Sequence, residues 1–302
     1  MKKKLAVIAL AGIMAAGLTV GNVQAAEPGG EVYVFIAASL ANAMEDIQKD
    51  FNQKYPDVEI FYNADSSGTL QTQIEEGSRC DIFFSAATKQ MDALVEEKLA
   101  KEESVVNLLE NKVVLIKTKD TETKVTGFEN ITEAENLALA GEDVPVGQYA
   151  REIFTNLDIM DQVEAMEINE GKNVTEVLAA VTQGSNEVGV VYATDAASVA
   201  DQVEIIAEAP ADALKTPVLY PVGMIEDEEA LPEEKVAAET FFEYLQTEDA
   251  LKVFEEHGFS PYTAEVEEND TEEAEDTQAD QKTDSEAEET GEAPTEQEKT
   301  AE

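Results

Sequence analysis

Hydroxyl- and glycine-bearing turns sit where extended runs give way to helical ones, and the chemistry open to them is anion capture. Ala37-Ala38-Ser39-Leu40 follows one such run, with Ser39 placed as the N-cap of the helix that comes next. Asp65-Ser66-Ser67-Gly68-Thr69-Leu70 follows a second and again opens a helix with hydroxyls and a glycine. Val144-Pro145-Val146-Gly147-Gln148-Tyr149 and Gly171-Lys172-Asn173-Val174 lead into two more. A helix start offers unpaired backbone N–H groups and the positive end of the macrodipole, which together hold negative charge. Serine hydroxyls add donors without adding a charge. One such turn ordinarily does no more than cap its helix. Four of them, two carrying serine, point to an anion but do not name it.

The residues for covalent or acid–base catalysis are sparse. His257 is the single histidine and lies just before Gly258, where it reads as the end of a helix. A Ser-His-Asp or Cys-His set would have that one base, far in sequence from the serine turns. Cys80 precedes an apolar strand and reads as a buried structural thiol; it has no mate for an intramolecular disulfide. Glu75-Glu76 and Glu96-Glu97 read as solvated helix faces, and Arg79 and Arg151, the only arginines, as surface residues. The expectation is a binding protein and not an enzyme.

The elements that must position the four turns alternate between strand and helix. Glu31–Ile36, Val58–Tyr62, Asp81–Ser85, Lys112–Lys117, Val188–Tyr192 and Val218–Ile225 read as strands. Leu40, Ala43, Met44, Ile47 and Phe51 recur at three- and four-residue steps, the pattern of a helix face. Further helices are expected over Leu70–Gly77, Met91–Leu99, 147–158 and 174–183, with closing helices from about Pro232 to His257. Such alternation implies a parallel-rich α/β architecture, whose ligands sit at the carboxyl ends of the strands.

At its start, Met1-Lys2-Lys3-Lys4, the apolar run Leu5–Val20 and the small residues at Ala25 form the pattern of a secretory signal peptide over residues 1–25. No cysteine lies near that cut, so a lipid anchor there is not expected. Residues 265–302 hold 17 Asp/Glu against 2 Lys with Val266 as the one large apolar residue, a composition too charged to build a core, and read as a disordered acidic tail. Between them lie roughly 235 residues, enough for two medium lobes. The formal charge of the 302-residue chain is −46, which excludes nucleic acid and anionic membrane surfaces as natural partners.

The same turns, taken in order, resemble a known family. Ala37-Ala38-Ser39-Leu40-Ala41-Asn42-Ala43-Met44, Ser66-Ser67-Gly68-Thr69-Leu70, Gln73–Gly77, Asp81–Ala86, Val144–Ala150, Val188–Asp195, Tyr220-Pro221-Val222 and Phe254–Phe259 are similar to the successive signatures of the periplasmic molybdate-binding proteins. The likeness runs from about residue 31 to 262. It implies a type II periplasmic-binding-protein fold, two α/β lobes joined by a hinge, with lobe 1 formed by 30–110 plus 218–262 and lobe 2 by 111–217. It also implies a ligand, molybdate with tungstate alongside, held by Ser39, Ser67, Val146, Val174 and Tyr192. The serines would act through hydroxyl and N–H, the valines through N–H, and the tyrosine through its phenol. These five would meet the metal through the oxyanion's oxygens, and no cofactor is implied. The partner would be the membrane permease of an ABC importer, the location the periplasm or cell envelope, and the chain a monomer.

Molybdate is a fully deprotonated dianion with four acceptor oxygens, and the five positions supply donors only. A site for hydrogen phosphate would need an acceptor for the retained proton, because an unpaired buried O–H costs roughly 1–3 kcal/mol. Sulfate shares the charge and shape of molybdate, so another oxyanion such as sulfate stays open as an alternative, as does a surface interaction protein using the acidic tail. Two positions depart from the family pattern. Gly68 follows Ser67 where a further serine is common, and Asp65 puts a carboxylate where a small neutral residue is usual, which would repel a dianion unless it points away or is protonated.

Overall fold

The computed structural model describes residues 27–210, 212–226 and 230–263; the expected signal peptide and acidic tail lie outside them. The chain begins with β1 (Gly30–Ala37), α1 (Ala41–Lys54), β2 (Val58–Asp65), α2 (Ser67–Glu75), β3 (Ile82–Phe84), α3 (Thr88–Glu96) and β4 (Val106–Asn111). It then passes into β5 (Val113–Thr118), β6 (Leu137–Ala140), α4 (Pro145–Asn156), α5 (Met160–Glu164), β7 (Ile168–Gly171), α6 (Val174–Thr182), β8 (Val188–Tyr192), α7 (Ala193–Ser198) and β9 (Val203–Glu208). It returns through β10 (Val218–Met224), α8 (Pro232–Leu245), α9 (Glu248–Glu256) and β11 (Ser260–Pro261).

Two sheets result. One has the order β11-β4-β10-β3-β1-β2, the other β7-β6-β8-β5-β9. This is a two-lobe α/β fold, and the chain crosses between the sheets at Asn111-Lys112-Val113 and again between Glu208 and Val218. The sheets are mixed, not parallel-rich as the alternation led us to expect. β1 pairs in parallel with β2 and β3, and β6 with β7 and β8, each through a helical crossover. β5 and β10, the strands that arrive from the other lobe, pair antiparallel with their neighbours. A strand entering without a crossover helix is free of the constraint that makes βαβ units parallel. Pro221 cannot donate to the ladder, and the β10–β4 register slips between Tyr220 and Pro221.

The helix face read from the sequence is the one that packs. Ala43, Met44, Ile47 and Phe51 of α1 are buried, and Phe51 meets Phe241 of α8 edge-to-face at 4.8 Å. Truncating so enclosed a ring to alanine would cost about 3–5 kcal/mol. Cys80 is buried as expected, with its Sγ donating to Ile82 O at 3.3 Å. Glu75, Glu76, Glu96 and Glu97 are exposed. His257 ends α9 and contacts Asp46 at 3.0 Å.

Candidate oxyanion site

Five carboxyl-terminal strand ends, those of β1, β2, β6, β7 and β8, each release the chain into a helical turn. The residues expected from the sequence, Ser39, Ser67, Val146, Val174 and Tyr192, all line one cavity between these turns. Its volume is about 10 Å³, roughly the room of one water. A larger hollow of about 550 Å³ lies between Thr121–Lys124 and Gly184–Glu187. No buried, unpaired polar atom among the described residues faces that hollow.

Ser39 is not the helix N-cap that the sequence led us to expect. The chain first makes a 3-10 turn over Ala38–Leu40, and the cap positions of that turn and of α1 fall to Ala37 and Leu40. Ser39 Oγ instead lies 3.0 Å from Tyr220 Oη. The second turn divides its labour. Ser66 is the N-cap of α2: its Oγ accepts from Thr69 N at 3.1 Å and donates to Thr69 Oγ1 at 2.8 Å. Ser67 is the first residue of the helix, buried, and its Oγ accepts from Ala86 N at 2.9 Å. One of the two Ser67 lone pairs is thereby engaged, and its proton points away from Ala86 N–H.

In the second lobe Pro145 opens α4, where its missing N–H costs nothing, and Val146 follows at the next position. The first N–H groups of a helix have no partner inside it. Gly147 has to be glycine, since a Cβ there would lie 2.2 Å from Gly141 O. Arg151 corrects another expectation: it is half-buried, donating to Ala140 O at 2.7 Å and Gly147 O at 3.0 Å, and so ties the end of β6 to the first turn of α4. Val174 opens α6 behind Asn173, whose Oδ1 accepts from Glu176 N at 3.1 Å.

Tyr192 closes β8 and is 2 % exposed, and its Oη makes no hydrogen bond of ordinary geometry, although the Tyr220 phenol lies near enough to interact with it. Burial, and after it the nearby Tyr220 phenol, pushes the Tyr192 phenol well above 10. It is therefore a neutral donor at any physiological pH. Behind it, Asp195 accepts from Tyr192 N at 3.0 Å and is pushed up to about 7 by burial, with that N–H pulling the other way.

The two departures from the family pattern both reach across the cleft. Asp65 Oδ1 accepts from Ser66 N at 2.8 Å and from Asn173 Nδ2, in the other lobe, at 3.0 Å. A Cβ on Gly68 would lie 2.1 Å from Asp143 O of the second lobe. The hydroxyl absent at Gly68 is thus a space the second lobe's backbone occupies. Sequence reasoning passed over Tyr220, Asn111 and Asn173. Tyr220, within Tyr220-Pro221-Val222, and Asn173, just before Val174 at a helix start, each carried a local signal that could have found it; Asn111 did not.

The profile of the bacterial extracellular solute-binding proteins matches residues 32–260. A Bacillus subtilis (strain 168) protein, YvgL, provisionally named an ABC transporter substrate-binding lipoprotein, is 41% identical over 74% of this chain and 84% of its own length. A Haemophilus influenzae protein named as the molybdate-binding protein ModA is 36% identical over 76% of this chain and 90% of its own. The solved substrate-binding domain of a molybdenum ABC transporter, provisionally so titled, from Clostridium difficile superposes with a TM-score of 0.59 at 34% identity, covering 77% of this chain and 99% of that one. The sequence reading had set aside a lipid anchor. YvgL is named a lipoprotein, and the cysteine of the present sequence is the buried Cys80. The chain belongs to the family of bacterial extracellular solute-binding proteins, in the company of its molybdate-binding members.

Proposed function

We propose that this protein captures molybdate, and tungstate with it, between its two lobes and delivers the oxyanion to the permease of an ABC importer. Lobe 1 is residues 30–110 with 218–262, lobe 2 is 111–217, and the protein acts as a monomer. The ligand contacts are the hydroxyls of Ser39 and Ser67, the N–H groups at Ser39, Ser67, Val146 and Val174, and the Tyr192 phenol. The observation that carries this reading is the Tyr192 hydroxyl, buried without a partner on the wall of the same cavity as the two serines. A buried donor with no acceptor is costly, and an oxyanion oxygen relieves it.

The names of the relatives support molybdate over other solutes. No lysine or arginine lines the cavity and Asp65 does, its carboxylate engaged by Ser66 N–H and the Asn173 amide, so the positive partial charge for a dianion would come from the helix starts, without a buried counter-ion. Ligand contacts drawn from both lobes favour the closed state, which is the form a permease would read. Titration calorimetry of the mature protein with molybdate, tungstate, sulfate and phosphate tests the reading. Tight molybdate and tungstate binding with weak phosphate binding is expected; phosphate bound as tightly as molybdate refutes it.

A further inference from the structure

Ser39 Oγ and Tyr220 Oη lie 3.0 Å apart, and either could donate to the other. The rest of the network decides which does. Asn111 Oδ1 accepts from Lys112 N at 2.8 Å, and a backbone N–H can only donate, so the orientation of the Asn111 amide is fixed. Its Nδ2 then donates to Thr194 Oγ1 at 2.9 Å and to Tyr220 Oη at 3.2 Å. The Tyr220 phenol, fully buried, has accepted one hydrogen and must place its own. Of the acceptors beside it, Ser39 Oγ is at 3.0 Å, whereas the nearby Tyr192 phenol makes no hydrogen bond of ordinary geometry. Were Ser39 to donate instead, the Tyr220 proton would be stranded in the core, which buried polar groups avoid. Burial also pushes Tyr220 well above 10, so the proton stays on the phenol.

We infer that Asn111 and Tyr220 form an orienting relay, Asn111 to Tyr220 to Ser39, that turns the Ser39 hydrogen toward the cavity and makes this serine a donor to fully deprotonated oxyanions. Ala86 N–H does for Ser67 what Tyr220 does for Ser39: it occupies one of the hydroxyl's two lone pairs and leaves the proton to the ligand. Asn111 and Tyr220 are positioning residues and touch no ligand themselves. Asn111 ends the strand at the first crossing between lobes, and Thr194 belongs to the second lobe, so the relay is anchored where the lobes join. Its consequence is selectivity. A protonated oxyanion, such as hydrogen phosphate, gains when one wall of the site can accept, and a Ser39 whose hydrogen is aimed at the ligand and whose oxygen already accepts from Tyr220 serves it less well than a free hydroxyl.

This inference rests on the oxyanion reading above, and the test separates the two. Molybdate and phosphate affinities are measured by calorimetry for wild type, Tyr220→Phe, Asn111→Asp, Ser39→Ala, Ser67→Ala and the doubles with Ser39→Ala, with melting temperatures as the check on folding. Tyr220→Phe frees Ser39 to rotate, and should weaken molybdate binding about threefold to tenfold while sparing or improving phosphate. Asn111→Asp replaces the donor with a carboxylate that accepts from Tyr220, so Tyr220 turns round and accepts from Ser39. That reversal should cost about as much as Ser39→Ala, and the double Asn111→Asp/Ser39→Ala should add little to either single change. Ser67→Ala, outside the relay, should add in full to Tyr220→Phe. If Asn111→Asp does not fold, the Tyr220→Phe and Ser39→Ala cycle decides alone. Wild type that binds no molybdate overturns the functional reading and the relay with it. Wild type that binds it, with Tyr220→Phe fully additive to Ser39→Ala and phosphate weakened in parallel, overturns the relay alone.

Discussion

Replacing Tyr192 with phenylalanine should weaken the ligand complex and strengthen the empty protein, and the two effects have separate origins. In the structure the Tyr192 hydroxyl is buried and unpartnered by protein. A buried donor without an acceptor costs roughly 1–3 kcal/mol. Phenylalanine removes that group and keeps the ring, whose edge-to-face contact with Tyr220 at 5.7 Å between centroids is undisturbed. The empty variant should therefore melt higher, by roughly 2–4 °C per kcal/mol for a domain of this size. In the complex the same hydroxyl would donate to a dianion. Such charge-assisted bonds are worth about 1.5–3 kcal/mol, so its loss should weaken molybdate binding roughly tenfold to a hundredfold. Differential scanning calorimetry without ligand and isothermal titration with molybdate give the two numbers on one preparation. A variant that melts lower and binds as wild type would refute the reasoning, because the hydroxyl would then have a protein partner and no role at the ligand.

Three further outcomes follow from the same geometry. Gly68→Ala places a Cβ against Asp143 O and should weaken molybdate binding by about tenfold or more through a disfavoured closed state; unchanged affinity with unchanged ligand-induced compaction in small-angle scattering counts against the contact. Val146→Ala and Val174→Ala should change affinity far less than Ser67→Ala, since a backbone N–H survives the substitution; equal losses would show that the pocket is lined by other turns. Asp195 is pushed from 3.8 to about 7, so the folded protein keeps a proton that the unfolded chain has released, and stability from this group falls as pH rises from about 4 to 7. Melting of wild type against Asp195→Asn from pH 5 to 8, above the isoelectric point near 4.1, should show the variant's relative stability rising with pH; a difference that does not vary with pH rejects the buried, protonated carboxyl.

What was legible in the sequence was local. Runs such as Val188–Tyr192 and the face through Ala43, Ile47 and Phe51 announce themselves by period, and the turn residues by their capping chemistry. Leu137–Ala140 did not, because a four-residue apolar run looks the same in a strand, a helix or a loop. The serine turn at Ser39 misled, since whether a chain enters a helix at once or through a 3-10 turn is settled by what the hydroxyl meets, here Tyr220, 181 residues away. Arg151 misled for the same reason: its carbonyl acceptor on Ala140 lies at the end of a strand the sequence did not disclose. The mixed pairing of the sheets was hidden too, because it depends on which lobe a strand comes from.

Asp65 and Gly68 look, one at a time, like losses to an anion site: a carboxylate gained and a hydroxyl given up. Together they form a consistent change. Gly68 lets the Asp143 carbonyl of the second lobe close onto the first turn of α2, and Asp65 meets Asn173, the residue that caps α6 beside Val174. Both contacts join the lobes without involving the ligand. A contact present in every closed molecule favours closure whether or not the site is filled, so it raises the closed population that binds and narrows the difference between empty and loaded protein. The carboxylate's charge is meanwhile shared with Ser66 N–H and the Asn173 amide, which lessens its repulsion of a dianion. Asp65→Ala therefore removes two opposed effects, repulsion and latch. Affinity and closure of the empty protein, measured together by titration and scattering, separate them: a more open empty protein with little change in affinity shows the two in balance, and an equally compact one shows that the latch carries no weight.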